Sequence, residues 1–380
     1  MVIAINITNW SEDFESWNGF YLSPTIQGLS EQFPSAQFLL ITDRILTVKK
    51  TWPANVKQLS VRPVAKNLFR LRYWLDFCIP KVLRKHKVDL FISVRYCSLR
   101  TKVPQLLIID DLSFLHFPKE LKRFDRIVFK QTWLKQLQIA TQLFSASALI
   151  KKELVEGHGV NEAKIILLPS SPASTFQKLH ETNSAQRASE KSLIKNRFTE
   201  GKEFFLCGGD DTERLNIMGA LKAFSLFKKR QQTGFKLVLS FNEKDSLDRI
   251  KKKVATYKYR EDVVLLLNDT IKNFHQIVDA AYAWIHPATY ESASPQLVNA
   301  LFAGTPCIVG KETAMQEIVD HAGLFVEPAA IQDLANKMML IYKDETLRDK
   351  LISNGNDRLL LFSQQSTTHS LAQAIKNIVQ

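Results

Sequence analysis

Glu291 stands just before a turn of small residues, and Ser294-Pro295 then opens an apolar helix, in the stretch YESASPQLVNALFAGTPCIVG over 290–310. Serine suits an N-cap because its hydroxyl can accept from an orphaned N–H, and proline suits the first helical position because it has no N–H to orphan. The start of such a helix offers unpaired N–H groups and the positive end of the helix dipole, a setting that favours a diphosphate. Many buried helices of α/β proteins begin this way, so the stretch on its own marks a candidate site and does not assign a function.

Short apolar runs alternate with amphipathic patterns along the whole chain, which predicts α/β architecture with parallel sheets covered on both faces. Strands are expected near 2–8, 37–42, 88–94, 104–109, 142–145 and 164–168, then at 203–207, 235–241, 263–267, 283–286, 306–309 and 323–326. Helices are expected between them, including 148–156 (capped by Ser147 and stopped at Gly157-His158-Gly159), 213–230, 244–256, 272–282, 295–303, 330–342, 345–354 and 366–378. From about 170 to 200 the sequence is polar and loses its apolar period, as a linker would. The expected organisation is therefore a Rossmann-like domain over 1–172, a linker over 173–200, a second Rossmann-like domain over 201–362 and a final helix over 363–380 crossing back to the first. Ligands of such folds sit at the carboxyl ends of the strands. That rule puts Glu291, after strand 283–286, in a cleft between the two domains.

With 380 residues and 45% hydrophobic content, the chain can bury two cores. Its net charge of +13 is uneven: Met1 to Lys195 holds 28 Lys and Arg against 16 Asp and Glu, and the remainder 23 against 22. A basic half suits an anionic surface or polyanion, with a merely solubilising surface as the plainer alternative. Arg70 to Lys87 interleaves cations with aromatics, as an interfacial helix on anionic lipid would, or as a helix packed on the first sheet with a charged outer face; Pro80 is expected to kink it. No signature of nucleic-acid binding accompanies the charge. The N-terminus has no basic leader before an apolar core and no run of eighteen apolar residues occurs, so a cytoplasmic location is expected, peripheral at the inner membrane face if the basic domain meets lipid. Cys78, Cys97, Cys207 and Cys307 lack metal-ligand spacing, and the acid pairs Asp110-Asp111 and Asp210-Asp211 read as turn or cap residues, so neither disulfide nor metal is expected.

Tyr290-Glu291 followed by Asn299-Ala300-Leu301-Phe302-Ala303-Gly304-Thr305-Pro306-Cys307-Ile308 resembles the retaining family-4 (group 1) glycosyltransferases of GT-B fold, as do 316–319 and 322–328. In the first half, Ile109 to Pro118 resembles that family's His-Asp-Leu segment, and Gly19 in WNGFY what is left of its glycine-rich loop. The resemblance implies a nucleotide-diphosphate sugar donor, a glycan or lipid-linked acceptor and no cofactor. It implies that Glu291 holds the donor sugar and Arg214 the diphosphate. Asn299 would meet the ribose, and Gly208, Gly209, Asn216, Ser294 and Gln296 would line the donor site. Gly19, Asp110 and His116 would border the acceptor, with Glu291, Arg214 and Asp110 nearest the chemistry. Three positions depart from the family pattern: Asn299 replaces a glutamate, Leu215 a lysine and Asp110 a histidine. One cation remains where two are usual, with Lys202 as a candidate substitute. The departures also admit a second reading, a GT-B protein that binds a nucleotide, glycan or partner without turnover.

Overall fold

The computed structural model describes residues 1–8, 22–45, 51–168, 170–172, 176, 183–268 and 274–379. The chain divides into two compact units, Met1–Ser171 with Phe362–Gln380, and Pro172–Leu361. Each is a Rossmann-like layer of parallel strands with helices.

In the first unit the strands are β1 (Val2–Asn6), β2 (Gln37–Thr42), β3 (Val56–Ser60), β4 (Leu90–Val94), β5 (Gln105–Ile109), β6 (Gln142–Ser145) and β7 (Ile165–Leu167). They form a seven-stranded sheet in the order β3-β2-β1-β4-β5-β6-β7, with every pair parallel. All residues of β4 and β5 are buried, as continuous apolar runs covered on both faces require. Only β3 lacked an apolar run: Val56 is buried while Lys57, Gln58 and Ser60 are exposed, as befits an edge strand. The helix Ala148–His158 begins and ends as its sequence predicts. Ser147 accepts from the Ile150 N–H, and Gly159 follows at φ 64°.

The basic, aromatic segment forms a helix over Leu68–Tyr73, a π-turn over Trp74–Cys78 and a second helix over Ile79–Lys85. The turn lies just before Pro80, where an α-helical register would need an N–H that proline does not have; the Ile79 N–H instead reaches the Trp74 carbonyl. Arg72 and Trp74 face inward. Arg72 donates to Asp76 at 2.6 and 2.7 Å and to the Cys97 carbonyl at 2.8 Å.

The final helix, Gln364–Val379, packs on the helix Leu22–Gln32 and on β4 within the first unit, burying Leu371, Ala372, Ala374 and Ile375. Gly28 permits that contact, since a Cβ there would lie 2.8 Å from the Thr368 methyl carbon.

The second unit holds β8 (Phe204–Gly208), β9 (Lys236–Phe241), β10 (Val263–Leu267), β11 (Ala283–His286), β12 (Cys307–Gly310) and β13 (Gly323–Val326), parallel throughout and ordered β10-β9-β8-β11-β12-β13. Its core gathers Phe205 and Phe241 of the sheet with Phe224 and Phe227 of the helix Ile217–Gln231. The expected linker is in part a helix, Ser184–Thr199, with only Ile194 and Thr199 buried. It is held by charge: Arg187 and Lys191 lie 2.5 and 3.2 Å from the buried Asp279, and Arg187 also donates to the Ala303 carbonyl. A helix anchored by ion pairs shows no apolar period, which is why the sequence reads as linker.

Candidate active site

Strand order in the second unit reverses between β8 and β11, and the carboxyl ends of such neighbours form the crevice where α/β sheets bind ligands. The segments leaving these two strands are 209–216 and 287–294. At Gly209, φ is 123°, a conformation side chains avoid, and a Cβ would meet Leu215 at 2.7 Å. Leu215 is buried at the position where the resemblance leads one to look for a lysine, and fills the space beside Gly209 with carbon. Gly208 is similarly constrained, by the Trp284 ring at 3.0 Å.

Backbone and amide bonds stitch the two segments together. The Arg214 carbonyl accepts from the Thr289 N–H at 2.7 Å and from its hydroxyl at 3.1 Å. Asn216, at φ 53°, accepts from the Gly219 N–H through its side chain and donates to the carbonyls of Pro287 and Pro328 at 3.3 and 2.7 Å. The Asn216 carboxamide is thus committed to joining the first turn of the helix Ile217–Gln231 to both neighbouring loops.

The frame brings Arg214 and Glu291 together, with the guanidinium donating to the carboxylate at 2.9 Å. The His286 Nε2 lies 3.6 Å from the same carboxylate oxygen; His286 is 3% exposed and this nitrogen has no hydrogen-bond partner among the described residues. The buried Ser294 hydroxyl also lacks one. Ser294 occupies the N-cap position of the helix Pro295–Phe302 without capping it, so its hydroxyl departs from the sequence expectation. Gln296 is half-buried on the first turn, and Asn299 is buried one turn further along. Lys202 precedes β8 and lies against Gly234, at the end of the strand opposite Gly208, so it does not supply a second cation beside Arg214. Asp210 accepts from the N–H groups of Asn242 and Glu243, and Asp211 pairs with Arg249 and Lys253.

In the first unit, Asp110 follows β5 and Arg95 follows the adjacent β4. Arg95 Nε donates to Asp110 Oδ1 at 2.7 Å, while Asp110 Oδ2 is buried without a partner among the described residues. Burial pushes the Asp110 carboxyl above its ordinary range against the opposing pull of Arg95. Arg95 holds φ 61°, an unusual conformation for arginine. Sequence reasoning missed Arg95, although a cation immediately after the buried strand 90–94 was the available signal. Asp111 accepts from the backbone and hydroxyl of Ser113, and the exposed His116 is turned to Glu153 at 2.9 Å. Gly19 lies outside the described residues.

Residues 188–358 match the family model described as Glycosyl transferases group 1. That match spans most of the second unit. Arg214, His286, Glu291 and Asn299 all lie within it. The whole chain has the GT-B fold. It is similar to WaaG, a glycosyltransferase involved in lipopolysaccharide biosynthesis, with 15% identity, a TM-score of 0.77 and coverage of 98% of this chain and 99% of that one. Anabaena HepE in complex with UDP-glucose gives 14% identity and a TM-score of 0.71 over 99% and 100% of the two chains. In sequence the chain is 19% identical over 254 residues to the serotype-specific mannosyltransferase WbdA of Escherichia coli. That match covers 66% of this chain and 31% of WbdA, so the chain spans about a third of that relative's length.

Proposed function

We propose that the chain transfers a hexosyl residue, with retention of anomeric configuration, from a nucleotide-diphosphate sugar to a glycan or lipid-linked acceptor in the cytoplasm, as a step of cell-surface polysaccharide or glycoconjugate synthesis. The observation that carries this reading is the Arg214–Glu291 pair at 2.9 Å, set at the strand reversal beside the buried His286 nitrogen. Breaking a sugar–diphosphate bond leaves negative charge on the departing phosphate and electron deficiency on the sugar, so one cation and one hydroxyl-gripping carboxylate are the groups needed. Arg214 takes the diphosphate. Glu291 holds the sugar hydroxyls, and Asn299, able to donate and accept, meets the ribose. Asp110 borders the acceptor. The reaction needs no cofactor, since the donor brings its own leaving group. Mannosyl and glucosyl donors are the first to try, given the names of the relative and the structural neighbour.

The test titrates UDP-glucose, GDP-mannose and ADP-glucose against the purified chain. One of them should raise the melting temperature by mass action and be turned over. Glu291→Gln keeps shape and removes charge; it should cut turnover roughly 10²–10³-fold, the scale of losing one preorganised electrostatic contact. A donor that binds without transfer or hydrolysis would establish the binding-only alternative, and unimpaired turnover by Glu291→Gln would refute the role given to that carboxylate.

A further inference from the structure

We propose that His286 is a positioning residue for Glu291, its Nε2–H taking over the carboxylate when a diphosphate draws Arg214 away. This role rests on the donor-site reading of Arg214 and Glu291 given above. A buried polar nitrogen normally has a partner, because an unsatisfied one has lost its water for nothing. His286 is buried at the end of β11, yet its Nε2 is unpartnered among the described residues and lies 3.6 Å from Glu291 Oε2, too far for a hydrogen bond. That oxygen is the one accepting from the Arg214 guanidinium at 2.9 Å. Two donors converge on one acceptor, and the guanidinium holds it.

The backbone around them is fixed, which leaves the side chains to move. His286 lies in the sheet opposite Val309, and the Thr289 N–H holds the Arg214 carbonyl at 2.7 Å. The Glu291 carbonyl accepts from the Ala314 N–H at 3.0 Å. A small turn of the carboxylate brings Oε2 within bonding distance of Nε2. The side chains of Arg214 and Glu291 are only 19% and 15% exposed, so a carboxylate deserted by its cation would be a charge with little water to solvate it. The imidazole, as the Nε2–H tautomer or the imidazolium, supplies the hydrogen bond that the guanidinium gives up. It thereby leaves Glu291 Oε1 for the sugar hydroxyls.

The test measures the affinity of the full chain and its variants for UDP-glucose, GDP-mannose and inorganic pyrophosphate. His286→Leu should weaken binding about ten- to a hundredfold, the scale of one hydrogen bond to a charged group. In a Glu291→Gln background, where no charge is left to strand, the same change should cost less than about twofold. His286→Gln, which carries an N–H to much the same place, should recover most of the loss. In the unaltered chain with isotopically labelled histidine, the imidazole proton resonance that His286→Gln deletes should move downfield when ligand is added, as a charge-assisted hydrogen bond forms. An equal loss in both backgrounds overturns the role of His286, as does a resonance that a bound ligand leaves in place; sugar nucleotides that still bind then leave the donor reading standing. A resonance moved by pyrophosphate in a chain that binds neither sugar nucleotide supports the exchange and counts against the donor reading. A chain that binds none of the three removes both.

Discussion

Arg214 and Glu291 answer each other's charge in a partly buried setting, where a paired ion is tolerated and a single one is costly. In the proposed function, a diphosphate sugar would present a phosphate to the guanidinium and hydroxyls to the carboxylate, and so would replace each partner without stranding the other. Titration matters more clearly elsewhere. Trp133 Nε1–H donates to His158 Nε2 at 3.3 Å, and burial holds the His158 imidazole below its ordinary 6.5, against a weaker upward pull from Glu153. The folded chain therefore resists a proton that the unfolded chain accepts. Stability should be unaffected above the histidine range, fall as pH drops through 6.5, and level off below the lowered folded value. Melting curves across that range should show the fall, and His158→Gln should flatten it.

At the scale of elements, Asn216 holds the first turn of one helix and two loops with one carboxamide. Asn216→Ala should cost roughly 2–3 kcal/mol from the lost cap and two unsatisfied carbonyls. Asn216→Gly should cost less, because glycine adopts φ 53° freely; chemical denaturation of the two variants measures the difference. The alternation of apolar runs made most strands legible, since strands buried on both faces leave continuous Val, Ile, Leu and Phe. It did not reveal β3, whose outward residues are polar, nor the helix Ser184–Thr199, whose anchorage is ionic. Glu291 and Arg214 were legible through local pattern and resemblance. Arg95 was not, because its meaning comes from β4 and β5 lying side by side, a pairing that neither strand's own residues encode. The uncapped Ser294 hydroxyl was also beyond reach: residue type gives the capacity to cap, and the loop geometry decides whether it is used.

Over the whole molecule, the first unit is built from two separated parts of the chain, 1–171 and 362–380. Gly28→Val should test that closure, since even a Cβ would press on Thr368. Overpacking of this kind costs about 1–3 kcal/mol, and calorimetry should show the first unit melting earlier while the second unit's transition stays in place. This interrupted arrangement also bears on birth order. Domains usually mature from the amino end as the ribosome proceeds, but here residues 172–361 can finish before their predecessor, which must wait for residues 364–379 to emerge. Until then the nascent polypeptide carries an unlidded face over the helix Leu22–Gln32 and β4, a natural perch for chaperones.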